Sequence, residues 1–135
     1  MENKKRNIEF LYEIGTIRFI PRIWRQFLNK DFANLSEHIF RVIWTAIIIA
    51  KEENADINKV IKMALIHDIV ESRNSDVHYL SRMYTKRNDV AAIKDILKET
   101  SIEDEFLELF YEYEERKSIE AQIVKDADNL DVDFE

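Results

Sequence analysis

The chain of 135 residues has no cysteine, a single glycine (Gly15) and a single proline (Pro21). Without cysteine there is neither a disulfide nor a thiolate metal site, so any bound metal must be held by nitrogen and oxygen ligands. With so few turn formers, a β-sandwich or barrel is excluded, and long helices joined by short polar links remain. Long apolar runs are missing too. The longest, "VIWTAIIIA" from Val42 to Ala50, has nine residues, too few to cross a bilayer core of ~30 Å. The N-terminal "MENKKRNIEFLYEIG" starts basic, but Glu9 and Glu13 interrupt any apolar segment of a secretory signal. A cytoplasmic protein without membrane association is expected. An excess of positive charge is also lacking: 20 Lys and Arg face 27 Asp and Glu, for a net charge of −7. This argues against nucleic-acid binding through a basic face and leaves room for a small anionic substrate held by a few local cations.

What the chain does have is 46% hydrophobic and 35% charged residues, in a length that suits one domain with one sizeable core. The pattern predicts an all-α fold of about six helices. A first helix spans Asn7 to Phe19 and is broken by Pro21, which opens a loop or short helical turn over "PRIWRQFLNKDFANLS". The second starts near Asn34 or Ser36, both good caps, and runs to Glu53. The third begins at Asp56 and ends around Ile69 to Glu71, followed by a polar turn, "SRNSD". A fourth stretch, Tyr79 to Lys98, carries a break near Arg87 to Asp89. The fifth opens with Ser101 and Asp104 in capping-box-like spacing and reaches Lys117. The sixth runs from Ser118 to Asp131.

Several polar groups fall on apolar faces of these helices. His38 starts the stripe His38, Val42, Ala46 and Ile49. Asp68 ends the stripe Ile61, Ala64, Leu65 and Asp68, with His67 beside it. Asp126 falls among Ile119, Ile123, Ala127 and Leu130. Burying a carboxylate alone costs several kcal/mol unless it is paired or bound to a metal. Each group has an ordinary explanation: a satisfied core histidine for His38, an ion pair with Arg41 or Arg22 for Asp126, a helix end for Asp68. One convergent explanation covers all four. If the three helices pack together, His38, His67, Asp68 and Asp126 meet around one divalent cation, with two imidazoles and two carboxylates suited to Mn, Fe, Co, Ni or Zn. Neighbouring residues project ~100° apart on a helix, so His67 and Asp68 can chelate one ion only at the edge of the contact face.

The order His38, His67–Asp68, Asp126 resembles the HD-domain superfamily of metal-dependent phosphohydrolases. "SEHIFRV" (Ser36 to Val42), "MALIHDIVE" (Met63 to Glu71), "EAQIVKDADNLD" (Glu120 to Asp131) and "PRIW" (Pro21 to Trp24) are similar to its 5′-deoxynucleotidase branch, also called oxetanocin-like or HD-domain-containing protein 2-like. The resemblance spans roughly Ile17 to Asp131. It implies a single HD domain, 1–135, a helical bundle around one central divalent metal (Mg joins the metals named above), and hydrolysis of deoxyribonucleoside 5′-monophosphates to deoxynucleoside and phosphate. It implies His38, His67, Asp68 and Asp126 as metal ligands, Glu71 and Asp76 as the acid pair, Arg22 as the phosphate-binding cation and Trp24 as the aromatic beside the sugar. It also implies a homodimer.

The chain departs from that branch in three places. Where the branch has a Thr-Gly-Asp-like turn, this chain has Asn74–Ser75–Asp76. Ile23 separates Arg22 from Trp24. Relatives continue with further helix beyond the last metal aspartate, whereas this sequence stops at Glu135, so uncovered apolar surface is expected. Two other functions are compatible with the same residues. One is hydrolysis of another nucleotide phosphoester, such as a cyclic nucleotide, a triphosphate or an alarmone. The other is a metal-binding interaction module without turnover.

Overall fold

Three cap residues set the frame. Asn34 accepts from the Glu37 amide while Glu37 reaches back to the Asn34 amide, a reciprocal capping box. Asp56 and Ser118 accept from the amides of Lys59 and Ala121. The computed structural model describes residues 2–28 and 30–135, apart from the side chains of Glu2 and Tyr79. Its helices are α1 (Glu2–Gly15), α2 (Leu35–Glu52), α3 (Ile57–Ile66), α4 (Glu71–Asn74), α5 (Tyr79–Arg82), α6 (Asp89–Leu97), α7 (Glu103–Glu115) and α8 (Ile119–Leu130). Short 3₁₀ turns cover Thr16–Phe19, Ile23–Gln26 and Asp131–Phe134. Six helices have nine residues or more and two are single turns. No strand occurs among the described residues, and none of their helices is long and apolar enough to cross a membrane.

The expected loop from Pro21 is a 3₁₀ turn plus irregular chain, with Asn29 outside the described residues. The expected fourth helix is two helices. Its break is sharper than periodicity suggests, because the Asn88 side chain caps α6 by accepting from the Ala91 amide. The expected cap at Ser101 is absent: Asn7 of α1 engages both the hydroxyl and the amide of Ser101, and α7 starts behind Ile102 with no side-chain cap. This junction fastens α1 to the α6–α7 corner, as does Arg6, whose guanidinium donates to the Ile96 and Lys98 carbonyls.

The core lies where α2, α3, α7 and α8 meet. Val42, Ala46 and Ala50 of α2, Val60, Met63 and Ala64 of α3, Phe110 of α7, and Ala121, Val124 and Ala127 of α8 are all fully buried. The alanines let the helix axes approach closely, so polar groups at the ends of these helices come within bonding distance of one another.

The turn after α4 carries the chain's sharpest backbone constraint. Ser75 has φ 60° and ψ 170°, a region that glycine occupies freely and other residues enter at a cost of about 1–3 kcal/mol. The conformation delivers the next residue, Asp76, to the interior. Ser75→Gly therefore raises the free energy of unfolding by about 1 kcal/mol, read from urea titration. An unchanged or lower midpoint would mean that the turn stores no strain.

Candidate metal centre and cleft

α3 ends at Ile66, and the chain continues through i→i+3 turns: Ile69 N donates to Ile66 O, and Glu71 N to Asp68 O. A 3₁₀-like advance of ~120° per residue reorients the doublet at the helix end, so that His67 and Asp68 both face α2 and α8. The predicted limit on neighbouring ligands is thus met by ending the helix.

His38 Nε2 lies 3.1 Å from Asp68 Oδ2 and 3.0 Å from Asp128 Oδ1. His67 Nε2 lies 3.3 Å and 3.7 Å from the same two oxygens. One ligand atom from each of the four residues falls within 4.8 Å of all the others. His38, His67 and Asp68 are therefore brought together as expected. The fourth member is Asp128, and the expectation for Asp126 is corrected. Asp126 is exposed, as are Ile119 and Leu130 of its presumed stripe. The face of α8 that packs inward runs through Ala121, Val124, Ala127 and Asp128 and continues to Asp131. The expected stripe is rotated by roughly a quarter of a turn, because Ile119 and Leu130 are apolar yet lie outside the core. Leu65 of α3 is exposed in the same way. A signal was present: Asp128 is four residues after Val124 and seven after Ala121, in register with the small residues that allow close packing.

The sequence reading also missed Asp131. It is buried, accepts from His38 Nδ1 at 2.7 Å, and is bonded by Arg41 Nε at 2.5 Å. This fixes the His38 ring and directs its Nε2 at the cluster, the usual arrangement behind a metal-ligating imidazole. His67 is oriented differently: Nδ1 donates to the Ala64 carbonyl at 2.6 Å, and Nε2 is buried without a hydrogen-bond partner. A buried Nε2 without a hydrogen bond, next to two carboxylates and a second imidazole, fits a divalent cation that would take the place of its proton.

The electrostatics agree. Burial opposes a charge on His38, but the carboxylates of Asp128, Asp131 and Asp68 outweigh it and push the imidazole up to about 10. His67 is buried too, and Asp68 and Asp128 raise it well above the ordinary histidine value. Burial likewise opposes ionisation of Asp68 and Asp128, while the two imidazoles hold both far below the usual carboxylate range. Without a metal, the histidines themselves serve as the counter-cations.

Beside this cluster opens a cleft of about 830 Å³, within the size range of small-molecule sites. Glu71, on the first turn of α4, is buried, and its Oε2 has no partner. Burial first, and then the charges of Asp68 and Asp76, push it up to about 9. Asp76 accepts from the Ile23 amide at 3.0 Å and sits 3.5 Å from Arg22 Nη1, which is also 3.9 Å from Asp68. These contacts anchor the 3₁₀ turn Ile23–Gln26 and hold Arg22 and Trp24 on the cleft wall, with Arg22 Nε buried and unpartnered. The separation by Ile23 does not remove Trp24 from the cleft, since Ile23 and Trp24 both line it. Tyr113 of α7 closes the floor, its ring 5.6 Å from that of His67.

This geometry can be set beside known proteins. The chain is 29% identical over 133 residues to the 5′-deoxynucleotidase HDDC2 of Danio rerio, covering 93% of this chain and 65% of that protein. It is 27% identical over 131 residues to the Bos taurus 5′-deoxynucleotidase HDDC2, covering 93% of this chain and 63% of that protein. The chain thus spans somewhat less than two thirds of the length of these curated relatives. A solved structure described as a conserved hypothetical protein from Pyrococcus furiosus superposes with a TM-score of 0.82 at 30% identity, over 92% of this chain and 76% of that one. The HD domain family matches residues 14–134, a span that includes every residue of the four-ligand cluster and the buried aspartate behind it. The chain belongs to the HD domain family.

Proposed function

We propose that the chain is a metal-dependent phosphohydrolase of the 5′-deoxynucleotidase type, releasing phosphate from deoxyribonucleoside 5′-monophosphates in the cytoplasm. The observation that carries this reading is the buried, unpartnered Nε2 of His67 within the His38, Asp68 and Asp128 cluster, at the end of a cleft walled by Arg22, Glu71 and Asp76. The HDDC2 relatives supply the substrate class.

His38, His67, Asp68 and Asp128 would hold one divalent cation, drawn from Mn, Co, Fe, Ni, Zn or Mg. When bound, it supplies Lewis acidity toward phosphoryl oxygens and lowers the pKa of water. The remaining roles fall to this chain's own groups. Arg22 presents a planar fork to two phosphate oxygens. Glu71, protonated in the absence of a cation, is driven toward the carboxylate by a nearby double positive charge and can then take a proton from the attacking water. Asp76 orients Arg22 and faces the leaving 5′-oxygen or the sugar. Trp24 presents an apolar surface to C2′, against which a ribose hydroxyl would lose its water without gaining a partner.

The test is phosphate release from deoxy- and ribonucleoside 5′-monophosphates, with protein stripped by EDTA and reloaded with Mn²⁺, Co²⁺ or Mg²⁺. Expected is release from the deoxy series that Asp128→Ala abolishes and Asp126→Ala leaves intact. Mn²⁺ raises Tm by about 5 °C in wild type and not in Asp128→Ala, while Asp131→Asn weakens metal binding about 10- to 100-fold. Folded protein that releases no phosphate with any of these metals would leave hydrolysis of another nucleotide phosphoester, or a silent module, in its place.

The acid pair gives a pH signature of its own. Glu71 has a folded pKa of about 9, above its ordinary 4.5. Its protonated form is therefore the stabilised one, and that stability is lost as pH rises from near 4.5 toward 9. In EDTA, Glu71→Gln keeps the neutral form throughout. It should become more stable than wild type by about 2 kcal/mol at pH 9 and match it at pH 5; equal pH profiles would show that Glu71 is ionised in the metal-free fold.

The reading includes a homodimer. Phe40, Trp44 and Ile48 make a row on α2 at 65, 55 and 63% exposure, a contiguous apolar face of the kind that self-association covers. Sedimentation velocity should give twice the chain mass for wild type and the single mass for Trp44→Glu. A monomeric wild type would remove the dimer from the reading.

A further inference from the structure

The cleft wall carries five cationic side chains in a protein of net charge −7: Arg22, Arg82, Arg87, Arg116 and Lys125. Three of them are committed to acids. Arg22 pairs with Asp76, Arg87 with Asp89 at 3.2 Å, and Lys125 with Asp128 at 3.1 Å. Arg82 and Arg116 form no ion pair among the described residues. Each is instead pinned through Nε to a backbone carbonyl: Arg82 to Val77 at 2.8 Å, and Arg116 to Tyr113 at 2.9 Å. Arg116 is fixed further, since its guanidinium lies 4.5 Å above the centre of the Tyr113 ring and its backbone is left-handed, with φ 58°. Pinning Nε restricts the long side chain and leaves the Nη1 and Nη2 donors for something else. A guanidinium held in this way suits an oxyanion with two acceptors, such as a phosphate.

A monophosphate held by Arg22 at the metal end has no second anion for these two forks. We propose that Arg82 and Arg116 form a second phosphate subsite in the same cleft, and that the preferred ligand is a nucleotide carrying one phosphate at the hydrolytic end and another further along, as in a deoxynucleoside 3′,5′-bisphosphate. This rests on the nucleotidase reading and narrows its substrate class. The two arginines arrive from the ends of different helices, α5 and α7, and both line the cleft.

The experiment is equilibrium dialysis in EDTA, which removes turnover, comparing a deoxynucleoside 5′-monophosphate with its 3′,5′-bisphosphate. Wild type should bind the bisphosphate at least about tenfold more tightly, and raising the salt should shrink that ratio. Arg82→Gln and Arg116→Gln should each reduce the ratio, and the double variant should bring it near one. Arg82 is exposed, so its substitution tests the subsite even where loss of the Arg116–Tyr113 stack disturbs folding. Equal binding of the two nucleotides by wild type would overturn the subsite, and so would a preference that survives in the double variant. Either result, in protein that still hydrolyses monophosphates when loaded with metal, leaves the nucleotidase reading standing. No binding of either nucleotide together with no hydrolysis defeats both.

Discussion

His38 is held from two sides. Its Nδ1 meets the buried Asp131 and its Nε2 meets Asp68 and Asp128 at the edge of the cleft, all within 3.1 Å. Three carboxylates around one imidazole cannot be buried without more positive charge, because an uncompensated buried anion costs several kcal/mol. The compensation comes from Arg41 on Asp131, from His67, and from whatever cation the four ligands hold. Much of the architecture follows from this balance. α2 contributes His38 and Arg41 one turn apart, α3 must stop where it does to turn the His67–Asp68 doublet inward, and α8 must approach α2 closely enough for Asp128 and Asp131 to reach one ring.

Close approach is possible because the contacting faces are made of small residues. Ala46 and Ala50 on α2, Ala64 on α3, and Ala121 and Ala127 on α8 are all buried. Larger side chains there would separate the helices and leave the ligand atoms too far apart to share an ion. Hydrophobic packing and ligand geometry are therefore one constraint seen from two sides: the four ligand atoms meet because the helices that carry them pack closely.

Most of this was legible in the sequence. The scarcity of glycine and proline predicted the helical class, the cap residues Asn34, Asp56 and Ser118 located three helix starts, and His38, His67 and Asp68 were identified as ionisable groups on buried faces. The error lay in α8. Apolar residues at Ile119 and Leu130 pulled the inferred face toward Asp126, yet both are over 40% exposed. Ile119 and Leu130 lie at one edge of an apolar arc that spans roughly half the circumference of α8, and sequence alone does not tell which part of so wide an arc packs inward. Asp131 escaped notice for a different reason. Its role is to support His38 across 93 residues of chain, and no local pattern marks a residue whose only partners are distant. Ser101 was misread as a cap because its hydroxyl and amide are taken by Asn7, another long-range contact that spacing does not reveal.

The sign of the cleft brings these strands together. Among the described residues lining it, six are acidic, five are Lys or Arg, and His67 is favoured in its charged form, so with every acid ionised the charges of the wall nearly cancel. Burial favours the protonated form of Glu71 in the metal-free protein, which leaves the wall slightly positive. A divalent cation on the four ligands makes it positive even after Glu71 has ionised. An acidic protein can thus present a local anion-binding site, which a bound cation would strengthen. The same cation would favour the ionised form of Glu71. The charge of a bound cation and the ionisation of Glu71 would then be coupled through a cleft whose own charges nearly cancel.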